Sequence, residues 1–151
     1  DNPLVLEARK FDFLYIPIKD SGYISVVSNG SGMIMSSIDL IAKAGMEVTC
    51  ALDLGGGATA DRIKEALRIV AENEKVDTIF INIFGGITRC DEIARGIEGS
   101  MASIGKKRMV IRLEGTNKEK GLEIVRSLGG DMELVEGLYE GVDTLAKGAA
   151  R

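Results

Sequence analysis

The stretch VDTIFINIFGGITRCDEIARGI, Val76 to Ile97, decides how the chain is read. Its first part is nearly continuous in apolar residues, as expected of a strand covered on both faces. It stops at Gly85-Gly86 and restarts as a helix whose buried side is marked by Ile93, Ile97, Met101 and Ile104. A buried strand that feeds a helix through glycine is a strand–loop–helix unit, and the same unit recurs along the chain.

Upstream, YISVVSN (Tyr23 to Asn29) leads through GSG into a helical stretch that Gly45 stops near Ala44. EVTCALDL (Glu47 to Leu54) runs into Gly55-Gly56-Gly57 and then into the clearest helix, with Ile63, Ala66, Leu67, Val70 and Ala71 on one face. Downstream come RMVIRLE (Arg108 to Glu114), a helix in TNKEKGLEIVRSLGG, the short strand MELVE, and a last helix marked by Leu138, Val142, Leu145 and Ala149. These alternating units predict an α/β fold, a five-stranded doubly wound parallel sheet in flavodoxin-like order. FDFLYIPI (Phe11 to Ile18), with Pro17 and a following KDSG turn, reads as an N-terminal hairpin adding an edge strand. Residues 1–10 read as a linker.

The 151 residues suit one domain, and 45% hydrophobic with 28% charged residues is an ordinary globular composition. A net charge of -4 and a pI near 5.0 argue against nucleic-acid binding, which needs a basic surface. No apolar run approaches the roughly 18 residues of a membrane span. The opening DNPLVLEARKFDF carries charges of both signs and reads as neither a signal nor a transit peptide. Cys50 and Cys90 are too few for a disulfide framework and point to a reducing compartment. There is no histidine, so chemistry that needs imidazole must come from another chain.

Ligands of such sheets bind outside the carboxyl ends of the strands. Three loops there are glycine-rich: SNGSG with Asn29, Gly30 and Gly32; DLGGGAT with Gly55, Gly56 and Gly57; FGGIT with Gly85, Gly86, Ile87 and Thr88. Each opens into a helix whose first amides are unpaired and partly positive, which suits phosphate or carboxylate. The amides of Gly86, Ile87 and Thr88 could hold such an anion, with Arg89 as a further contact; Thr88 could instead be a helix N-cap. Cys90, in the first turn of that helix, is either a thiol of lowered pKa or a small packing residue. Arg112 and Glu114 could pair with each other or face the site. Several rivals are weakened by the residues themselves, a flavin protein remaining a remote third reading. GSGMIM lacks the third glycine of the dinucleotide fingerprint, and no Walker-type G-x-x-x-x-G-K-[ST] occurs. Ser28-Asn29 stands where a phosphoacceptor receiver needs acids. A flavin protein would want aromatic loop residues, and only Phe84 lies near that edge.

In order, SNGSGMIMSSIDLI, DLGGGATADRIKEAL, NIFGGITRCDEIARGI and RLEGTN resemble the C-terminal, flavodoxin-like domain of the succinyl-CoA synthetase (succinate–CoA ligase) β-subunit family. The resemblance runs from about Phe11 to the C-terminus. It implies an acid–thiol ligase that joins succinate to CoA, coupled to a nucleoside triphosphate through succinyl phosphate and a phosphohistidine. It implies a partner α subunit that carries the histidine and the CoA site. An ATP-grasp domain of the β subunit would hold ATP or GTP with Mg²⁺. By motif match Asn29 and Gly86-Ile87-Thr88 are substrate-binding positions, and this domain itself is expected to hold no cofactor and no metal. The family often has valine where Thr88 stands, so a role for its hydroxyl would be peculiar to this chain.

Nothing ahead of Phe11 can be an ATP-grasp domain, so the sequence reads as a piece of a longer β subunit or as a separate subunit. On the first reading, residues 1–10 are the linker from that domain and 11–151 the ligase domain. The expected compartment is the cytoplasm, or the mitochondrial matrix in a eukaryote. Two alternatives stand beside this reading: a ligase for malate or another acid, and a non-catalytic module that binds an α-type subunit.

Overall fold

The computed structural model describes residues 2–149, with side chains at all of these positions except 86, 87 and 149. In chain order the elements are α1 (Pro3–Arg9), β1 (Leu14–Pro17), β2 (Ile24–Ser28), α2 (Ser31–Lys43), β3 (Val48–Asp53) and α3 (Ala60–Ala71). They continue with β4 (Thr78–Arg89), α4 (Cys90–Ile104), β5 (Arg108–Thr116), α5 (Lys118–Arg126), β6 (Met132–Leu134) and α6 (Leu138–Ala149). The sheet order is β1-β3-β2-β4-β5-β6, with β2 to β6 all parallel and β1 antiparallel on β3. The doubly wound, flavodoxin-like sheet expected from the alternating units is therefore present.

Two expectations need correction. The sheet has six strands rather than five, and the edge hairpin does not form. β1 pairs with β3, Leu14 opposite Asp53 and Pro17 opposite Cys50, instead of with the β2 that follows it. The KDSG turn only reverses the chain; both edges of β2 are taken by the parallel neighbours β3 and β4. The stretch read as a linker contains α1, which starts as helices do: Leu4 N–H donates to Asn2 Oδ1 at 2.9 Å and proline occupies the first turn. Ala8 of α1 is fully buried in the same cluster as α3.

Alternate residues of the central strands feed two cores. Val27, Ile79, Ile81, Ile83, Met109, Ile111 and Leu113 pack with α1, α3, α4 and α5. Val26, Phe80 and Val110 pack with Ile34 and Ile41 of α2 and Val142 and Leu145 of α6. Both faces are thus dry, which is why the strands lack a polar alternation. α2 ends in a Schellman motif: Met46 N–H donates to Ile41 O at 3.1 Å and Gly45 N–H to Ala42 O at 3.0 Å, with Gly45 at φ +86°. α3 and α4 approach closely because Gly96 has no side chain; a Cβ there would lie 2.5 Å from Ile63 Cβ and 2.7 Å from Ala60 O.

β4 does not stop at the glycine pair. Its register with β5 runs from Thr78↔Arg108 to Phe84↔Glu114, breaks, and resumes at Arg89↔Thr116. α4 therefore begins at Cys90, and its N-cap is Arg89, which makes no side-chain capping bond. The N-cap role considered for Thr88 is excluded, since it stands one residue too early.

Candidate functional site

β2 and β4 are neighbours whose following helices lie on opposite faces, so the strand order reverses between them. That switch point is where an open α/β sheet leaves a crevice at its carboxyl edge. Its floor is polar. Ser28 and Asn82 sit side by side in register and are fully buried. Asn82 Oδ1 accepts from Arg112 Nη1 at 3.1 Å, while Ser28 Oγ and Asn82 Nδ2 have no hydrogen-bond partner among the described residues.

Above the floor, Asn29 stitches the end of β2 to β4. Its Nδ2 donates to Phe84 O at 2.8 Å, and Phe84 N–H donates back to Asn29 Oδ1 at 3.2 Å. The same Nδ2 lies 3.5 Å from Thr88 Oγ1. This pairing sets the amide's orientation and leaves Thr88 facing Asn29 across the Gly85 turn.

A cleft of about 440 Å³ opens here, lined by Asn29, the Gly55-Gly56-Gly57 loop, Thr59, Phe84, Gly85, Thr88, Arg89 and Glu92. Gly55 and Gly57 have φ of +69° and +83°, a backbone conformation for which glycine is favoured, and Gly55 N–H donates to Asp53 Oδ1 at 2.9 Å. The N-termini of α3 and α4 both open at this cleft, through Thr59 and Arg89. Two helix N-termini and two glycine loops give it a wall of backbone with partial positive charge. A larger cavity of about 500 Å³, lined by Tyr23, Asp77, Lys106, Arg108 and Asp131, lies at the opposite edge where the strands begin. Arg108 there donates to the carbonyls of Thr144 and Leu145 and pairs with Glu133, so its Nη groups serve the last turns of α6.

The structure thus brings together Asn29, Gly55, Gly56, Gly57, Gly85, Thr88 and Arg89 from the residues picked out in sequence. It does not bring in Gly30 and Gly32, which form the N-cap and first turn of α2 and do not line the cleft. Gly86 and Ile87 fall within the span of β4, and the contacts proposed for them lie outside the described residues. Arg112 and Glu114 do not pair. Arg112 stacks 5.3 Å over the Phe84 ring, and Glu114 binds Lys118. Cys90 is fully buried, and burial, with Glu114 nearby, pushes its thiol up, so it is a packing residue. Among the described residues no group of His, Cys, Asp or Glu is placed to hold a metal ion. Among the described residues, no helix is long and apolar enough to cross a membrane.

Asp91 anchors the mouth of α4. It is buried, pairs with Arg89 and Arg95 at 3.1 Å each, and accepts from Asn117 Nδ2 at 3.3 Å. Burial opposes its ionisation, but the Asn117 amide and the Arg89 guanidinium outweigh it and hold the carboxyl below its ordinary 3.8. A depressed carboxylate stabilises the fold fully above its ordinary value and ceases to do so as pH falls through the lower, folded-state value. Asp91→Asn is therefore expected to lower the urea midpoint at pH 7, with the gap to wild type narrowing as the pH falls through the lowered value of Asp91. An unchanged gap would mean that the charge contributes nothing.

The glycine blocks can now be set against known proteins. A CoA-ligase family model matches residues 27–137. The chain belongs to the CoA-ligase family. The resemblance carried by GGGAT and NIFGGITRCD is borne out. This CoA-ligase chain is 41% identical over 148 residues to the succinate–CoA ligase [ADP-forming] β subunit of Jannaschia sp. (strain CCS1), covering 97% of the chain and 37% of that protein. It is 42% identical over 124 residues to the same subunit from Pyrobaculum arsenaticum, covering 81% of the chain and 32% of that protein. The chain spans about a third of the length of these curated relatives. Among solved structures, a mutant ATP citrate lyase of Methanosaeta concilii in complex with (3S)-citryl-CoA superposes with a TM-score of 0.81 at 13% identity, over 100% of this chain and 44% of that one. That likeness is one of fold.

Sequence reasoning missed what positions the CoA-ligase cleft. Glu92 lines it, Thr59 caps α3 at its edge, and Arg62 holds its glycine loop. In sequence Arg62 is one of several charges on α3, and nothing local separates it from Lys64 or Arg68.

Proposed function

We propose that the chain is the C-terminal ligase portion of a succinate–CoA ligase β subunit, and that its cleft holds the anionic end of the acid during phosphoryl transfer. The observation that carries this reading is the convergence of two helix N-termini and two glycine loops on one cleft at the switch point. The identity to succinate–CoA ligase β subunits over nearly the whole chain supports it. On this reading the phosphoryl group passes from a phosphohistidine of an α-type partner to a carboxylate oxygen of succinate. The thiol of CoA, held by that partner, then attacks the acyl phosphate and releases phosphate. Asn29, Gly86, Ile87 and Thr88 are the ligand-contacting positions, and backbone amides stabilise charge where it develops without a side-chain acid or base. Nucleotide and Mg²⁺ belong to an ATP-grasp portion of the same subunit, joined ahead of residues 1–10.

The test is turnover of succinate, CoA and nucleotide by the complete subunit with its partner, beside the isolated chain. The assembly should turn over and the isolated chain should not. In the assembly, Thr88→Val keeps every backbone amide and should change kcat/KM by no more than about threefold, within the reach of one modest contact. Gly85→Val should lower it at least about tenfold. A side chain at Gly85 starts 3.0 Å from Thr88 Oγ1 and displaces the turn. Wild-type turnover in folded Gly85→Val would remove the cleft from the mechanism.

The Thr88 hydroxyl favours one second reading, a ligase for a hydroxy acid such as malate. Rates with a panel of dicarboxylic acids in wild type and Thr88→Val separate the two, because only a hydroxy acid would lose selectively.

A further inference from the structure

Arg62 spends its guanidinium in an unusual way. Nε donates to Gly57 O at 2.9 Å, Nη2 to Leu54 O at 2.6 Å and Nη1 to Phe11 O at 2.6 Å. Its Cζ lies over the Phe13 ring, 4.7 Å from the centroid, and that ring stacks on Phe11 at 5.5 Å. Its own N–H donates to the capping Thr59 Oγ1 at 3.3 Å, so the base of the side chain is fixed at the start of α3. Every bonded partner of the guanidinium is a backbone carbonyl, and no carboxylate forms an ion pair with it among the described residues.

These carbonyls belong to two segments far apart in sequence. Leu54 and Gly57 bracket the glycine loop that walls the cleft. Phe11 lies where the chain leaves α1 and turns, through Asp12 at φ +59°, towards β1. The two segments also lie close together, since a Cβ added at Gly55 would come within 3.8 Å of Asp12 O. Leu54 is buried and its N–H donates to Ser28 O at 2.9 Å, but beyond it Gly56 has open space around it and the Asp53–Gly55 bond is short-range. A planar fork with five donors can span both segments, whereas a lysine ammonium is a point charge that cannot.

We propose that Arg62 is the positioning residue of the cleft's glycine wall, and that it makes the position of that wall depend on the chain segment that joins α1 to β1 through Phe11. On the functional reading above, on which this rests, that segment follows the nucleotide-binding portion, so Arg62 links that portion to the acid site. The charge acts as well, because an unpaired cation behind the loop favours an anion in front of it.

Hydrogen exchange on the complete subunit in its assembly tests the structural half. Arg62→Gln should speed exchange in 11–14 and 54–58 together, with the β4 core at 79–83 unchanged. No change, or a change in only one of the two segments, overturns the coupling. Kinetics test the rest. Arg62→Gln should raise KM for the acid at least tenfold and leave KM for the nucleotide within twofold. Arg62→Lys, which keeps the charge, should fall between the two, and added guanidinium ion should partly restore Arg62→Ala. Equal rises in both KM values, or no rise for the acid, overturn the positioning role. If Arg62→Gln fails to assemble, Arg62→Lys carries both measurements. If Gly85→Val destroys turnover while Arg62→Gln leaves the acid KM alone, this inference fails and the functional reading stands. If both variants turn over normally, the functional reading fails, and the exchange result alone decides whether Arg62 couples the two segments.

Discussion

Gly115→Ala is expected to lower turnover of the assembled enzyme by about a hundredfold, the scale set by a misplacement on the order of 1 Å at a reacting centre. A Cβ at Gly115 would stand 2.5 Å from Thr88 O and 2.8 Å from Gly85 O, both backbone atoms that cannot swing aside as a side chain can. Its φ of +154° adds a conformational cost for any other residue. The strain has one outlet. Below Phe84 the β4–β5 ladder is continuous and buried on both faces, whereas above it the register is already broken before Arg89. Gly85 and Thr88 must therefore shift, and both line the cleft. Overpacking of this kind costs about 1–3 kcal/mol, which a domain of this size tolerates. Steady-state kinetics beside a thermal melt check the claim. Wild-type kcat/KM in a folded variant would show that the cleft wall is not where the chemistry is held.

The second large effect concerns the fold. Gly96→Ala is expected to destabilise by about 3 kcal/mol, the upper end for one inserted methyl in a packed core. At this chain length that corresponds to a fall of roughly 10 °C in Tm. The added methyl meets Ile63 Cβ at 2.5 Å, Ala60 O at 2.7 Å and Ile63 Cγ2 at 2.7 Å. Cutting Ile63 back to alanine removes only the last of these, so Ile63→Ala should not rescue Gly96→Ala. Urea melts of the single and double variants, with unchanged m-values, measure this directly. Full rescue would mean that α3 and α4 slide apart freely.

These two glycines show what the sequence could and could not tell. The strands were legible because residues such as Ile79 to Ile83 are apolar on both faces, and a two-faced strand implies helices above and below. α3 was legible because its apolar stripe has the helical period. The glycine loops were legible as a group because each follows such a strand. By contrast, α1 is short and has no long stripe, and β1 chose β3 over its sequence neighbour for reasons that lie in the occupied edges of β2. The extension of β4 to Arg89 was hidden because a glycine pair reads as punctuation, although here Gly115 on the next strand lets the two backbones approach. Asn29 was legible as a residue of the cleft, but its paired bonds to Phe84 were not. The contacts of Asn29 and Arg62 span 55 and 51 residues, and no local pattern encodes a partner so far away.

The odd placement of β1 has a consequence for how the protein behaves among copies of itself. A sheet with a free edge is a template for another strand and so for aggregation. Here one edge is β1, four residues long and ending in Pro17, which has no N–H to offer; the other is β6, only three residues long. Neither edge offers a ladder of useful length to a passing strand. Edges this short are therefore expected to recruit strands of other chains poorly.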